Sequence, residues 1–187
     1  MGDLMLNSGR APAMTGPPAA PAATRTGATP GVSSDLMQFE GTVEIAAPRE
    51  RVWAFVMDPQ QVGQCGPGVE TIDVADDTHF KATAKLGIGF ISARFVVNME
   101  FTDVTAPDGA TIKAHGQAPG SAVDANARMR LSDGDAGGTR MDWSADVTIS
   151  GTLASVGARM IEGTADKMIG QTFDCMKSKL EGAGSPA

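Results

Sequence analysis

The spacing of apolar side chains changes period once along this chain, and that change limits what it can fold into. Between Phe39 and Ile149 apolar residues recur at every second position in successive short runs. From Thr152 to about Leu180 the core-facing series is instead Leu153, Val156, Met160, Thr164, Met168, Thr172 and Met176. A period of two belongs to strands with one face buried, and a period near 3.6 to an amphipathic helix. The chain therefore reads as an antiparallel sheet followed by one long helix, about 40 Å at 1.5 Å per residue.

"MQFEGTVEI" (37–45) is the first strand, with Phe39, Gly41, Val43 and Ile45 on one face. "AAPRERVWAFVMDP" follows as a helix: Pro48 suits its first turn, Val52, Phe55 and Val56 make its apolar stripe, and Asp58-Pro59 ends it. "QQVGQCGPGVE" is a short turn of helix and then a glycine-proline loop. Strands are expected at 69–75, 80–86, 89–103, 110–116, 123–131 and 139–150, with "SDGDAGG" as the turn before the last. An antiparallel sheet whose apolar face is covered by a terminal helix is an α+β architecture.

The inward side chains of these strands are unexpectedly small. "VDANARMRL" (123–131) offers Val123, Ala125, Ala127, Met129 and Leu131 to the core, with two successive alanines where leucine or isoleucine would fill space. Gly41, Ala82, Ala84, Ala93, Ala110, Ala114, Gly116 and Ala145 fall on the same face of their strands. An empty hole the size of a leucine costs about 2–5 kcal/mol, a large share of a domain's net stability of about 5–15 kcal/mol. Two explanations compete. Small residues, with Gly157, Gly163 and Gly170 on the helix, let helix and sheet approach closely. Alternatively they wall a cavity that an apolar ligand fills, with Met129, Met160 and Met168 as adaptable lining.

Charge excludes several function classes. The formal net charge is −7 and no Lys/Arg cluster occurs, which argues against nucleic acid and against an anionic lipid surface as partner. The two cysteines, Cys65 and Cys175, are far apart and form no CxxC, so a zinc or iron–sulfur site has no supporting spacing. They leave either a lone disulfide or two free thiols, and the reduced state of a cytoplasmic protein is favoured. No run of 18 apolar residues is present. "GRAPAMTGPPAAPAATRTGATPGVSS" is too poor in large apolar side chains to offset its ordering entropy. Residues 1–36 are thus expected to be a disordered tail: a tether, a loose arm, or residues upstream of a true start at Met37. The folded domain is expected over 37–181, with 182–187 disordered.

Catalytic chemistry is not evident. The inward positions hold no carboxylate, histidine, lysine or arginine, and general acid–base work needs such a group within the site. His79 and His115 fall on the outward side of their strands. Cys65, beside Gly66-Pro67-Gly68, has no suggested base, and Ser92 and Ser121 have no identifiable partner. "GIGF" and "GPG" lack the lysine and following helix of a phosphate cradle and read as turns at the lips of a pocket. The chain contains no tyrosine.

"GTVEIAAPRERVWAFVMDPQQVGQCGPGVE", "KLGIGFISARF" and "GGTRMDWSADVTISGTLASVGARMIEGTADKM" resemble the CoxG family of carbon monoxide dehydrogenase proteins, within the START/polyketide-cyclase (SRPBCC) superfamily, over about residues 37–181. The resemblance implies a helix-grip fold: a curved seven-stranded antiparallel sheet around a long C-terminal helix. It also implies an accessory protein of a CO-dehydrogenase-type molybdenum hydroxylase complex, acting in membrane docking or in carrying a quinone. Such a protein is cytoplasmic with peripheral contact at the inner face of the membrane, and holds no covalent cofactor, only bound menaquinone or ubiquinone. Some members carry a C-terminal membrane anchor, whereas this sequence ends at "LEGAGSPA" and has extra N-terminal residues. The expected function is therefore non-catalytic binding of a hydrophobic ligand. The rivals are a cyclase or aromatase-like catalyst and a maturation or recruitment factor with a packed core. The expected ligand-facing residues are Ala84, Leu86, Ile91, Phe95, Val97, Ala125, Ala127, Met129, Trp143, Ala145, Met160, Thr164 and Met168, with Trp143 and Phe95 stacking on a ring.

Overall fold

The computed structural model describes residues 35–182. Most of the segment expected as a tail, and residues 183–187, lie outside this range. Strand β1 (Asp35–Ile45) leads into helices α1 (Arg49–Val56) and α2 (Pro59–Gly63). Six strands follow: β2 (Val69–Val74), β3 (His79–Ile88), β4 (Ile91–Thr105), β5 (Gly109–Ala118), β6 (Ser121–Asp133) and β7 (Thr139–Gly151). Helix α3 (Ala158–Gly182) comes last. The sheet order is β1-β7-β6-β5-β4-β3-β2, with every neighbouring pair antiparallel. The first and last strands thus lie side by side, Met37 opposite Val147 and Ile45 opposite Thr139. This is the α+β helix-grip architecture.

Two apolar clusters fasten α3 to the sheet. Near its N-terminal end, Ile161 packs in a core with Met37, Ile88, Phe95, Ile149 and Leu153. Towards its C-terminal end, Met176 and Leu180 join Ile45, Val52, Phe55, Val56, Leu131 and Met141. The buried Thr139 hydroxyl donates to the Ala47 carbonyl at 2.6 Å, tying the end of the β1–α1 connection to β7. The Ala46 N–H donates to Glu181 Oε1 at 3.0 Å, anchoring the last turn of α3 to the same place.

Two features differ from the sequence reading. The long helix does not begin at Thr152. Residues Thr152–Val156 form a 3-10 turn, and Gly157 breaks it with φ +97°, a backbone conformation that side chains with a Cβ rarely adopt. The break resets the helical phase, so Leu153 is buried within the 3-10 turn and Ile161, not Met160, faces the core. Met160 is 47% exposed. The cysteines also differ from expectation: Cys65 and Cys175 form a disulfide across a sequence separation of 110 residues. Spacing alone could not reveal this, because only the finished fold lays the loop after α2 against α3. A cross-link closing so long a loop stabilises by about 2–4 kcal/mol, chiefly by restricting the unfolded chain.

Leu153 is among the most completely buried side chains and joins the 3-10 turn to the cluster around Ile161. Leu153→Ala is expected to cost about 2–5 kcal/mol in urea unfolding. A cost below about 1 kcal/mol would show that this end of α3 is not held by packing.

Candidate functional site

A cavity of about 360 Å³ lies between the sheet and the C-terminal half of α3. The strands supply Phe80 and Ala82 from β3, Met99 and Phe101 from β4, Ala110 and Ile112 from β5, Ala127 and Met129 from β6, and Met141 and Trp143 from β7. Thr172, Phe173 and Met176 face them from α3. Val56 of α1, Pro59, Val62 and Gly63 of α2, Gly66 of the following loop, and Val69 and Ile72 of β2 close the side. Strand alternation explains the strand contribution, since every second residue points to the helix. The wall is hydrocarbon almost throughout. The Thr172 hydroxyl donates to the Met168 carbonyl at 2.9 Å and so is satisfied within its own helix. Arg128 and Ser144, a register pair of β6 and β7, border the cavity from positions that alternate with the inward ones. Arg128 is exposed.

The small residues have two structural explanations. Ala82, Ala110 and Ala127 stand in the cavity wall, where larger side chains would occupy the space. Gly41 serves close approach instead: a Cβ there would lie 3.1 Å from the Trp143 indole. The indole therefore rests over Gly41, and its ring centroid lies 5.4 Å from that of Phe173 at a tilt of 41°. Such tilted pairs are favourable beyond their buried area. Trp143 and Phe173 thus form an aromatic bridge from sheet to helix at the edge of the cavity.

Of the residues expected to face a ligand, Ala127, Met129 and Trp143 line the cavity. Ala84, Leu86, Ile91, Phe95, Val97, Ala125, Ala145, Met160, Thr164 and Met168 are not among its walls. Phe95 belongs to the cluster under the N-terminal half of α3, and Leu86 and Val97 pack against it. There helix and sheet meet directly, so this half of the interior is closed by the protein's own side chains. Ile91 pairs with Ile88 at the end of the β3–β4 hairpin, and buried Ala84 pairs with Phe95. Ala125 and Ala145 sit opposite Ala114 and Ala127 in the ladder. Met160 is turned outward by the phase shift at Gly157, and Thr164 returns its hydroxyl to the Met160 carbonyl at 2.9 Å. Ala82, Ala110 and Phe173 join the wall without having been expected there. The first two carry the same signal as Ala127, inward alternation with a small side chain, whereas an uninterrupted helical phase hides Phe173.

The two turns expected as lips lie far apart in role. Gly66 of "CGPG" borders the cavity. Gly89 of "GIGF" packs near Val156 and Met160 at the other end of the domain. The histidines are on the exposed outer face, His79 beside Asp76 and Glu100, and His115 beside Asp124. Ser121 Oγ accepts from the Leu153 N–H at 3.0 Å, a structural role. Among the described residues no group of three His, Cys, Asp or Glu is placed to hold a metal ion. No described helix is long and apolar enough to cross a membrane.

The segment beside the cavity is organised by Asp58, which caps α2. Its carboxylate accepts from the Gln60 N–H at 2.9 Å, the Gln61 N–H at 3.3 Å and Gln61 Nε2 at 2.8 Å. These bonds, the Gln61 side chain first, hold its pKa below the ordinary carboxylate value. On the exposed flank, Arg94 donates to both carboxylate oxygens of Glu70 at 2.7 and 3.1 Å and lowers the Glu70 pKa.

Comparison with known proteins identifies the family. The family model of the carbon monoxide dehydrogenase protein CoxG matches residues 41–181. The chain belongs to the CoxG family. A comparison with curated proteins finds no match. Among solved structures, a conserved protein from Geobacillus kaustophilus aligns with TM-score 0.74 at 22% identity, over 79% of this chain and 97% of that one. A START superfamily protein from Mycobacterium smegmatis aligns with TM-score 0.61 at 15% identity, over 78% and 98%. The ZhuI aromatase/cyclase from a Streptomyces species aligns with TM-score 0.62 at 15% identity, over 81% and 100%. These likenesses fix the fold of this CoxG-family chain, and its cavity occupies the space between sheet and terminal helix.

Removing the α2 cap should loosen the cavity's side wall. Asp58→Ala is expected to cost about 1 kcal/mol at neutral pH. Because the folded pKa is depressed, that contribution is present above the unfolded carboxylate value of about 4 and is lost as pH falls through the folded value. The wild-type and variant unfolding curves should therefore converge in acid. A gap that persists unchanged would show that the carboxylate is not the source of the stabilisation.

Proposed function

We propose that this protein is a non-catalytic carrier that holds the ring of a quinone-like lipid in the cavity between β3–β7 and the C-terminal half of α3. It would serve a CO-dehydrogenase-type molybdenum hydroxylase, taking up menaquinone or ubiquinone at the inner face of the membrane. The observation that carries this reading is the cavity itself, hydrocarbon-walled and edged by Trp143 and Phe173. Its volume is at the lower end of the about 300–1,000 Å³ usual for small-molecule sites. That suits a flat one- or two-ring head group whose long isoprenoid chain lies outside. The residues' work is binding and water exclusion: alanines leave the slot, methionines adapt to its outline, and the aromatic pair offers a ring face. The quinone supplies the redox chemistry, accepting two electrons and two protons to become the quinol. Family membership supports the accessory role. A cyclase-like activity would need a group for proton transfer inside the cavity, whereas the lining offers exposed Arg128 and the hydroxyls of Thr172 and Ser144.

Protein purified from its own host and extracted with organic solvent should release an isoprenoid quinone, identified by mass spectrometry. Ala127→Leu or Ala82→Leu should lower its occupancy about tenfold or more, equivalent to a loss of about 1.4 kcal/mol in binding, while the variant still unfolds cooperatively. A wild-type protein that co-purifies with a molybdenum enzyme and releases no lipid would favour the recruitment reading instead. Variants that unfold by overpacking, with wild-type protein free of lipid, would mean the space is not a ligand site.

A further inference from the structure

The cavity's side wall and the helix opposite are joined covalently. Cys65 lies between Val62 and Gly63 on one side and Gly66 and Val69 on the other, all four of them wall residues. Cys175 lies on α3 between Phe173 and Met176, which also line the cavity. The Cys65–Cys175 disulfide therefore spans the seam where the α2–β2 segment meets α3. Among the described residues one side-chain hydrogen bond accompanies it, from Lys179 Nζ to Gln64 Oε1 at 2.6 Å, and it is solvent-exposed. The segment's other polar ties run away from α3: Gln60 Nε2 donates to the Ile72 carbonyl at 3.2 Å, and the Lys85 N–H donates to the Gly68 carbonyl at 2.8 Å. A five-residue helix has little stability of its own. Once the sulfur–sulfur bond is cut, the seam is held by apolar contacts and that exposed hydrogen bond.

We infer that the Cys65–Cys175 disulfide is a redox-operated latch on the ligand cavity. Oxidised, it keeps the 58–69 segment against α3 and retains the bound molecule. Reduced, it lets the segment part from the helix so that ligand enters and leaves through the seam. The inference rests on the reading of the cavity as a ligand site. The reductant is a dithiol. Its thiolate attacks one sulfur to give a mixed disulfide, and its second thiol resolves it. The Cys65–Cys175 bond breaks, two S–H bonds form on the protein, and the two electrons and two protons come from the dithiol, which leaves as its own disulfide. Cys175 is half-buried whereas Cys65 is 5% exposed, so Cys175 is the sulfur within reach.

The full chain, oxidised and after reduction with dithiothreitol, gives the test, with thiol titration confirming each state. Amide hydrogen exchange over 60–69 should accelerate about tenfold or more on reduction while the central strands stay protected. Dissociation of the apolar fluorophore 1-anilinonaphthalene-8-sulfonate should accelerate to a similar extent. A Cys65→Ala/Cys175→Ala chain should behave like the reduced protein without dithiol, and the reduced wild type carries the test if that variant fails to fold. Unchanged exchange over 60–69 overturns the latch whatever the probe does, as does faster exchange with unchanged dissociation. If exchange accelerates but the probe binds neither state, the carrier reading fails first and the latch has no cargo to control. Free thiols in the protein as isolated under alkylating conditions also overturn it.

Discussion

Everything distinctive in this molecule depends on how α3 is held across the sheet at two places and not between them. Ile161 sinks into the cluster with Leu153 and Ile149, and Met176 and Leu180 sink into the one with Val52 and Leu131. The residues between, among them Ala165, Met168, Ile169, Thr172 and Phe173, are only half-buried although they belong to the helix's inner side. A helix pinned at both ends and held off the sheet in part of its span must leave a gap. The gap survives because the facing positions are Ala82, Ala110 and Ala127, whose methyl groups cannot reach across it. Such a hole works against stability, and the disulfide closing a long loop beside it works in the opposite direction.

The site's chemistry follows from its walls. Hydrocarbon and two aromatic rings recognise shape and apolar surface, and exert little pull on a charged group. Arg128, the ionisable residue at the border, is exposed. Titratable groups gather on the outer surface, where His79, Glu100, His115 and Asp124 make exposed pairs. An interior of this kind favours holding a molecule over transforming it, which agrees with membership in a family named for an accessory component of a dehydrogenase.

Much of the fold was legible in the sequence because each strand carried a clean two-residue alternation and the change of period near Gly151 was unambiguous. The site was legible only in part. Ala127 was marked by its size at an inward position, but the same signal at Ala125 and Ala145 did not lead to the cavity, because alternation gives the face of a strand and not how far along it the helix touches down. Met160, Thr164 and Met168 were misplaced for a different reason: a single positive-φ glycine at 157 rotated the helix relative to an uninterrupted pattern. The Cys65–Cys175 bond was illegible on principle, since proximity across 110 residues is a property of the finished fold.

The most direct measurement is a set of intermolecular nuclear Overhauser contacts between a ring-protonated 1,4-naphthoquinone and the methyl groups of the full-length protein. The account requires contacts to the methyls of Ala82, Ala127, Met129 and Met141, and none to those of Ala93 or Val123 under the other half of α3. Contacts confined to the outer face, or none at saturating quinone, would contradict it.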